Sequence, residues 1–134
     1  MSILIGVNDV WHDKKDWENG VCAPKFKKIY RMLLEEVHEA LPQIKIMLME
    51  PFVLKGSATE DSFDWFAKEV GLRAEITKEL ASEFNLPFIP LQQELNQLAE
   101  LTPESYWLID GVHPTPFFHQ YLSNKWLECF ETIR

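Results

Sequence analysis

Three short runs of apolar residues stand out along the chain and predict β-strands. Each run is rich in aliphatic side chains and lacks the apolar–polar alternation of a half-exposed strand. Continuous apolar character is typical of strands covered on both faces, as in a parallel sheet. The predicted strands are residues 2–7, 45–50 and 86–90, and prolines near both ends of the third favour an edge position for it.

Apolar residues that recur at helical spacing predict four helices between and after these strands. Proline suits a first helical turn, so Pro24 and Pro116 mark two of the starts. Asp61 or Ser62 is expected to cap the second helix, and Thr115 the last one. The predicted helices are residues 24–41, 61–84, 91–100 and 115–133, and polar loops are expected at residues 8–22 and 53–61.

Strands and helices alternate along the whole chain, which is the pattern of an α/β fold with a parallel sheet and right-handed crossovers. No repeat, low-complexity segment or change of composition divides the sequence, so residues 1–134 are interpreted as a single domain. In open sheets of this kind, functional side chains gather beyond the carboxyl ends of the strands. Asn8 and Asp9 follow the first predicted strand at that edge.

Length, net charge and cysteine content limit the classes of protein to which this chain can belong. With 134 residues, 46% of them hydrophobic, the chain can bury a core. A net charge of -8 and a pI of about 4.9 argue against nucleic acid or an anionic membrane surface as a partner. The apolar runs are too short for a membrane span. Cys22 and Cys129 lie in unrelated contexts, so we expect reduced thiols in a cytoplasmic protein.

An aspartate and a histidine three residues apart, Asp110 and His113, precede the last predicted helix. At this spacing the carboxylate can accept the histidine Nδ1–H, which fixes the tautomer and leaves Nε2 as a general base. The alternative is a surface aspartate and a histidine that happens to lie near a helix start.

Gly6 and Asn8 form a second candidate group. The side-chain amide of Asn8 could donate to an oxyanion, and glycine would let substrate approach the backbone closely. The alternative is an Asn8–Asp9 turn that ends the strand.

Together the two groups resemble two of the four sequence blocks of the SGNH (GDSL-type) hydrolases. The matching stretches are residues 6–9 (Gly-Val-Asn-Asp) and 110–114 (Asp-Gly-Val-His-Pro). The resemblance implies a flavodoxin-like three-layer α/β/α fold and a serine ester hydrolase, lipase- or esterase-like, that acts on small ester or acylated-carbohydrate substrates without a cofactor. It assigns Asn8 to the oxyanion hole, His113 as the general base and Asp110 as its orienting residue, with Gly6 and Asp9 in supporting positions.

The family's other two blocks have no counterpart in this sequence. The Gly-Asp-Ser block with the nucleophile and the block with an oxyanion-hole glycine both lie upstream in the family, and only five residues precede Gly6. None of the serines follows Gly-Asp, and Ser57, which follows Gly56, is better explained as a loop residue. We therefore expect the C-terminal two-thirds of such a hydrolase, with about three strands, no nucleophile and little or no activity alone. The serines are Ser2, Ser57, Ser62, Ser82, Ser105 and Ser123.

An incomplete sheet has a consequence for assembly. The strand at residues 2–7 would expose its edge and one apolar face, and exposed edges tend to pair with another chain. We predict a homodimer or higher oligomer that covers this strand. Two alternatives to a hydrolase stay open: a non-enzymatic truncated fragment that self-assembles through the edge, and a different flavodoxin-like binding domain that matches the two blocks by chance.

An acidic cluster and several tryptophans are further candidate site residues. The acidic cluster could bind a cation, but no metal-ligand spacing recurs elsewhere, so a solvated acidic loop is the simpler interpretation and no metal site is predicted. Its members are Asp9, His12, Asp13 and Asp16. Tryptophans could line an acyl or sugar pocket or pack in the core; they are Trp11, Trp17, Trp65 and Trp107.

Overall fold

A parallel three-stranded sheet lies at the centre of the computed structural model, which describes residues 1–15 and 19–133. Its strands are β1 (Ser2–Ile3), β2 (Met47–Met49) and β3 (Phe88–Ile89), and their order is β1-β2-β3. Ser2 lies opposite Met47 in the β1–β2 pair, and Leu48 lies opposite Phe88 in the β2–β3 pair. The α/β fold with a parallel sheet is therefore confirmed, and β3 lies at an edge as predicted.

Helices surround the sheet in the order that the apolar spacing predicted, with two additions. They are α1 (Val7–Lys15), α2 (Ala23–Ala40), α3 (Phe63–Glu83), α4 (Gln92–Leu101), α5 (Glu104–Trp107) and α6 (Pro116–Ile133). The four predicted helices correspond to α2, α3, α4 and α6. Thr115 caps α6 as predicted, since its Oγ1 accepts a hydrogen bond from the Phe118 amide at 3.3 Å, whereas Ser62 precedes α3 without a side-chain cap bond.

Two predictions at the start of the chain are wrong. The strand predicted at residues 2–7 is shorter, because Gly6 has φ +127° and turns the chain out of the sheet. The loop predicted at residues 8–22 begins instead with helix α1, whose Val10 is completely buried. Asp16 and Trp17 lie outside the described residues.

The core has a separate part on each face of the sheet. Helices α2 and α3 cover one face, where Leu48 packs with Phe26 and Leu34. Helices α4 and α6 cover the other, where Met49 packs with Phe118. A third cluster packs α1 against α3 at the carboxyl ends of the strands. Alternate residues of β2 thus enter opposite parts of the core, as expected for a buried parallel strand.

The cysteines Cys22 and Cys129 are both free thiols. Among the helices of the described residues, none has the length and apolar character that crossing a membrane requires.

Candidate active site

Asp110 and His113 lie at the turn of a short hairpin between α5 and α6. Leu108 and Pro114 form an antiparallel bridge, and the Ile109 amide donates to the His113 carbonyl at 2.8 Å. Gly111 has φ +103°, and a Cβ at this position would lie 2.6 Å from the Leu54 carbonyl oxygen. The tight turn therefore requires glycine between the two polar residues.

The Asp110 carboxylate binds both the backbone and the ring of the histidine. Its Oδ1 accepts hydrogen bonds from the amides of Val112 at 3.1 Å and His113 at 3.0 Å. Its Oδ2 lies 2.8 Å from Nδ1 of His113. The side chain of Asp110 is 24% exposed and that of His113 is 67% exposed, so the imidazole reaches into solvent from a fixed carboxylate. With Nδ1 engaged, Nε2 is the ring nitrogen left to exchange a proton with a substrate.

The electrostatics of Asp110 favour its charged form. Burial raises the pKa of the carboxyl, but hydrogen bonds from the His113 amide, the His113 ring and the Val112 amide outweigh it, so the pKa lies below its ordinary value of 3.8. An ionised Asp110 keeps its hydrogen bond with Nδ1–H and can stabilise a positive charge on the ring.

The loop at residues 53–59 packs against the hairpin that carries Asp110 and His113. The Leu54 amide donates to the Gly111 carbonyl at 2.9 Å, and the Ala58 amide donates to the Asp110 carbonyl at 3.0 Å. A Cβ on Gly56 would lie 2.3 Å from the Asp110 carbonyl carbon, so the two backbones touch. The sequence predicts a loop at residues 53–61, but the contact between Gly56 and Asp110 joins residues far apart in the chain and has no local sequence signal.

Gly6, Asn8 and Asp9 lie at the start of α1. Gly6 is buried, Asn8 is exposed and Asp9 is half-buried in the first turn of the helix. One turn after Asn8, the Trp11 ring lies 6.1 Å from the His113 ring between centroids. Asn8 and Trp11 are three residues apart and therefore share a face of α1. Since Trp11 lies beside His113, Asn8 lies at the same end of the sheet as the Asp110–His113 pair.

A buried arginine, which the sequence analysis did not identify, underlies this turn. Arg73 of α3 is fully buried, pairs with Glu69 and donates to the Val21 carbonyl at 2.6 Å. A Cβ on Gly6 would lie 3.1 Å from the Arg73 Cβ. Burial raises the pKa of Asp9 above its ordinary value of 3.8, against the lowering effects of a backbone hydrogen bond and of the Arg73 and His12 charges.

An apolar cavity of about 170 Å³ separates the end of β1 from the hairpin. Val112 and Pro114, which flank His113, form one wall, and Leu4 and Ile5 form another. Within the described residues, no serine donates a hydrogen bond to His113, whose ring partner is Asp110. Ser57 lies exposed in the loop at residues 53–59 that packs against the hairpin.

The acidic cluster around α1 does not assemble a metal site among the residues the structure describes, where no group of three or more histidine, cysteine or carboxylate ligands converges. Asp9, His12 and Asp13 are spread over α1, and Asp16 falls outside the described part.

Comparison with known proteins gives concordant matches. The model of the GDSL-like Lipase/Acylhydrolase family matches residues 1–121. An acetylxylan esterase from Geobacillus stearothermophilus is 29% identical over 140 residues, which cover all of this chain and 61% of the esterase. A solved Parabacteroides merdae structure described as a GDSL-like lipase is 36% identical with a TM-score of 0.87, over 96% of this chain and 58% of that one.

The structure of the Geobacillus stearothermophilus esterase superposes with a TM-score of 0.79 and 27% identity, over 95% of this chain and 57% of the esterase. The present chain thus spans about three-fifths of the length of these relatives.

Further structures of that esterase are catalytic mutants in which a serine, an aspartate or a histidine is replaced by alanine. In the esterase the aspartate lies three residues before the histidine, as Asp110 lies before His113. More residues separate its serine from its aspartate than precede Asp110 in this sequence. With a family model that matches nine-tenths of its residues, the chain belongs to the GDSL-like lipase/acylhydrolase family.

Proposed function

We propose that this chain provides the base half of a serine ester hydrolase and has little or no hydrolytic activity alone. The observation that carries the proposal is the 2.8 Å contact between Asp110 Oδ2 and His113 Nδ1 on an exposed imidazole. Support comes from the catalytic aspartate and histidine of the related esterase, which have the same spacing.

In the complete site, a serine hydroxyl attacks the ester carbonyl carbon and its proton passes to Nε2 of His113. The C–O bond then breaks, the alcohol leaves with that proton, and water hydrolyses the acyl-serine by the same route. Asp110 stabilises the imidazolium that forms in each step. Asn8 is the proposed side-chain donor to the oxyanion, since α1 presents it at the same end of the sheet.

The related esterase supports a proposal for the substrate class. An acetylxylan esterase acts on acetylated sugar chains, so we propose small esters or acylated carbohydrates as the substrates of the completed site.

Hydrolysis of p-nitrophenyl acetate by the purified chain tests this proposal. Loss of a triad nucleophile removes roughly 10⁶-fold of rate in a serine hydrolase, so we expect no difference between the wild type and His113→Ala. Leu101→Ala, a change at an exposed position on α4, serves as a matched control for contaminating esterases. Hydrolysis that His113→Ala abolishes and Leu101→Ala preserves would show that a nucleophile is already present.

A second candidate function is non-enzymatic self-assembly through the edge of β1. The observation that favours it is the terminal position of β1 in the sheet, where its outer edge has no neighbouring strand among the described residues. We propose a homodimer or higher oligomer in which a second copy covers this edge.

A further inference from the structure

The chain that follows β2 is buried at residues 51–54, although these residues belong to no helix or strand. A buried amide or carbonyl without a partner costs free energy, so the backbone of such a segment needs hydrogen-bond partners from elsewhere in the chain. The partners of Val53 and Leu54 show how the segment is connected to the turn that carries Asp110 and His113.

Leu54 binds that turn directly. Its amide donates to the Gly111 carbonyl at 2.9 Å, and its own carbonyl accepts a hydrogen bond from the Thr59 hydroxyl at 2.8 Å. Thr59 is completely buried, and a Cβ on Gly111 would lie 2.6 Å from both the Thr59 Oγ1 and the Leu54 carbonyl oxygen. A displacement of the Leu54 backbone would therefore be transmitted to the turn.

Val53 has both of its backbone groups bound by one side chain, that of Gln92. The Gln92 Oε1 accepts a hydrogen bond from the Val53 amide at 2.8 Å, and the Nε2 donates to the Val53 carbonyl at 2.9 Å. The same Nε2 donates to Oδ1 of Asn96 at 2.8 Å. Glutamine offers one acceptor oxygen and two N–H donors, which is the set that these three bonds require.

Gln92 is itself held in place, because it is the first residue of α4. The Glu50 carboxylate, directly after β2, accepts hydrogen bonds from the amides of Leu91 and Gln92. Leu91 is completely buried in the core on the α4 and α6 face of the sheet. The start of α4 is thus attached to the sheet, and the Gln92 side chain extends from a fixed backbone.

We propose that Gln92 is a positioning residue for His113. Its side chain fixes the backbone of Val53, and the next residue, Leu54, donates to the turn in which Asp110 orients the imidazole. The inference rests on the proposed function, because it assigns Gln92 a role for the same aspartate–histidine pair.

A side-chain contact links Val53 to the same turn. Val53 is 2% exposed and packs in the cluster that also contains Val112, the residue before His113. Gln92 therefore acts on the turn by two routes, through the hydrogen bond of Leu54 and through the packing of Val53.

The packing around Gln92 allows this role to be tested by substitution. Gln92 borders a cavity of about 530 Å³ together with Val53 and Asn96, so leucine at this position removes the hydrogen bonds without overpacking. Gln92→Glu is a second variant, which keeps an acceptor for the Val53 amide but has no donor for the Val53 carbonyl. A carboxylate in the first turn of a helix is favourable, so Gln92→Glu retains α4.

The experiment is nuclear magnetic resonance of the full ¹⁵N-labelled chain at a pH where the imidazole is neutral. The ring signals of His113 report which nitrogen carries the proton, and we expect the Nδ1–H form to predominate in the wild type, because Asp110 accepts that hydrogen. Gln92→Leu should raise the Nε2–H form towards the mixture of free histidine. It should also speed hydrogen exchange of the Leu54 amide by roughly tenfold or more, since two hydrogen bonds are lost.

Gln93→Leu is the matched control, because Gln93 is the exposed neighbour of Gln92 on α4. It should leave the His113 ring signals and the Leu54 exchange rate unchanged, whereas Gln92→Glu should change both in the same direction as Gln92→Leu. If Gln92→Leu does not fold, Gln92→Glu decides. Folded Gln92 variants with wild-type signals, or an equal change in Gln93→Leu, would overturn the inference.

The two readouts separate this inference from the proposed function. A wild-type His113 ring with the tautomer mixture of free histidine would contradict the contact with Asp110, and with it the proposed function. The exchange rate of the Leu54 amide then tests the inference alone. Faster exchange in Gln92→Leu supports the connection from Gln92 to the turn, and an unchanged rate contradicts it.

Discussion

At the scale of single residues, Gly56 allows the loop at residues 53–59 to pack closely against the Asp110 turn. A Cβ added to Gly56 would lie 2.3 Å from the Asp110 carbonyl carbon, and neither backbone can move away alone because hydrogen bonds join them. We expect Gly56→Ala to lower the free energy of unfolding by about 1–3 kcal/mol, as overpacking does elsewhere. Urea denaturation followed by circular dichroism measures the change.

Gly71→Ala is the matched control for this substitution. Gly71 lies inside α3, and no atom lies within 4 Å of the Cβ that alanine would add. Alanine lowers the backbone entropy cost of a helix, so Gly71→Ala should stabilise the chain by roughly 0.5–1 kcal/mol. Equal effects of the two substitutions would contradict the close contact at Gly56.

Asp110 also gives a prediction of pH dependence. Its pKa is lowered in the fold, so its charged form stabilises the folded chain above the ordinary value of 3.8, and this contribution is lost as the pH falls through the lowered pKa. Asp110→Asn keeps an oxygen acceptor but removes the charge. We expect the wild type to be the more stable of the two at neutral pH and the difference to shrink below about pH 4.

Urea denaturation of both chains across this range measures the difference. A gap between wild type and Asp110→Asn that does not change with pH would show that the carboxylate charge does not stabilise the hairpin.

At the scale of elements, Arg73 of α3 stabilises the packing of α1 through contacts with the residues on both sides of that helix. Its stem packs against Gly6 before α1, and its guanidinium binds the Val21 carbonyl after the helix and the Glu69 carboxylate. Arg73→Met keeps most of the apolar volume but leaves Glu69 without its cation. Removing one partner of a buried ion pair typically costs about 3–5 kcal/mol, and we expect a loss of that order in the free energy of unfolding.

The comparison for Arg73→Met is Arg31→Met, which removes an ion pair with Glu83 between exposed side chains of α2 and α3. Exposed pairs contribute little to stability, because solvent screens the two charges, so we expect a much smaller loss for Arg31→Met. Similar losses for the two substitutions would argue against a structural role for the buried arginine. Both are measured by urea denaturation at the same ionic strength, because salt screens the exposed pair more strongly.

The long helices could be predicted from the sequence because each repeats one apolar face. Helix α2 buries Phe26, Tyr30 and Leu34 at the helical spacing that the pattern indicated. Helix α1 could not be predicted in this way, because most of its residues are polar and it is held by the burial of Val10 in a cluster from other elements. Tertiary contact, rather than local pattern, places it.

The candidate site likewise combines a contact that the sequence predicts with contacts that it does not predict. The Asp110–His113 contact follows from a local spacing of three residues, so the sequence was enough to predict it. Gly56 and Arg73 act across more than fifty residues, on Asp110 and Gly6 respectively, and no periodicity marks such contacts. The position of Asn8 after a strand and Gly6 suggests an oxyanion donor, and the family resemblance makes the same assignment. The structure adds that Asn8 belongs to a helix whose Trp11 ring lies 6.1 Å from the His113 ring between centroids.

At the scale of the whole molecule, we propose that the chain associates through the edge of β1, which has no neighbouring strand among the described residues. An edge strand with unpaired amides tends to pair with another chain, and in a pure sample the available chain is a second copy. We expect multi-angle light scattering to give a homodimer or higher oligomer at micromolar concentration. Leu4→Lys should shift the equilibrium towards monomer, because Leu4 directly follows β1 and a charge beside an edge strand opposes pairing, whereas Leu101→Lys on α4 should leave the equilibrium unchanged. The net charge of -8 repels copies at long range, so raising the salt concentration should strengthen the association. A well-folded monomer under all these conditions would contradict the predicted association through the β1 edge.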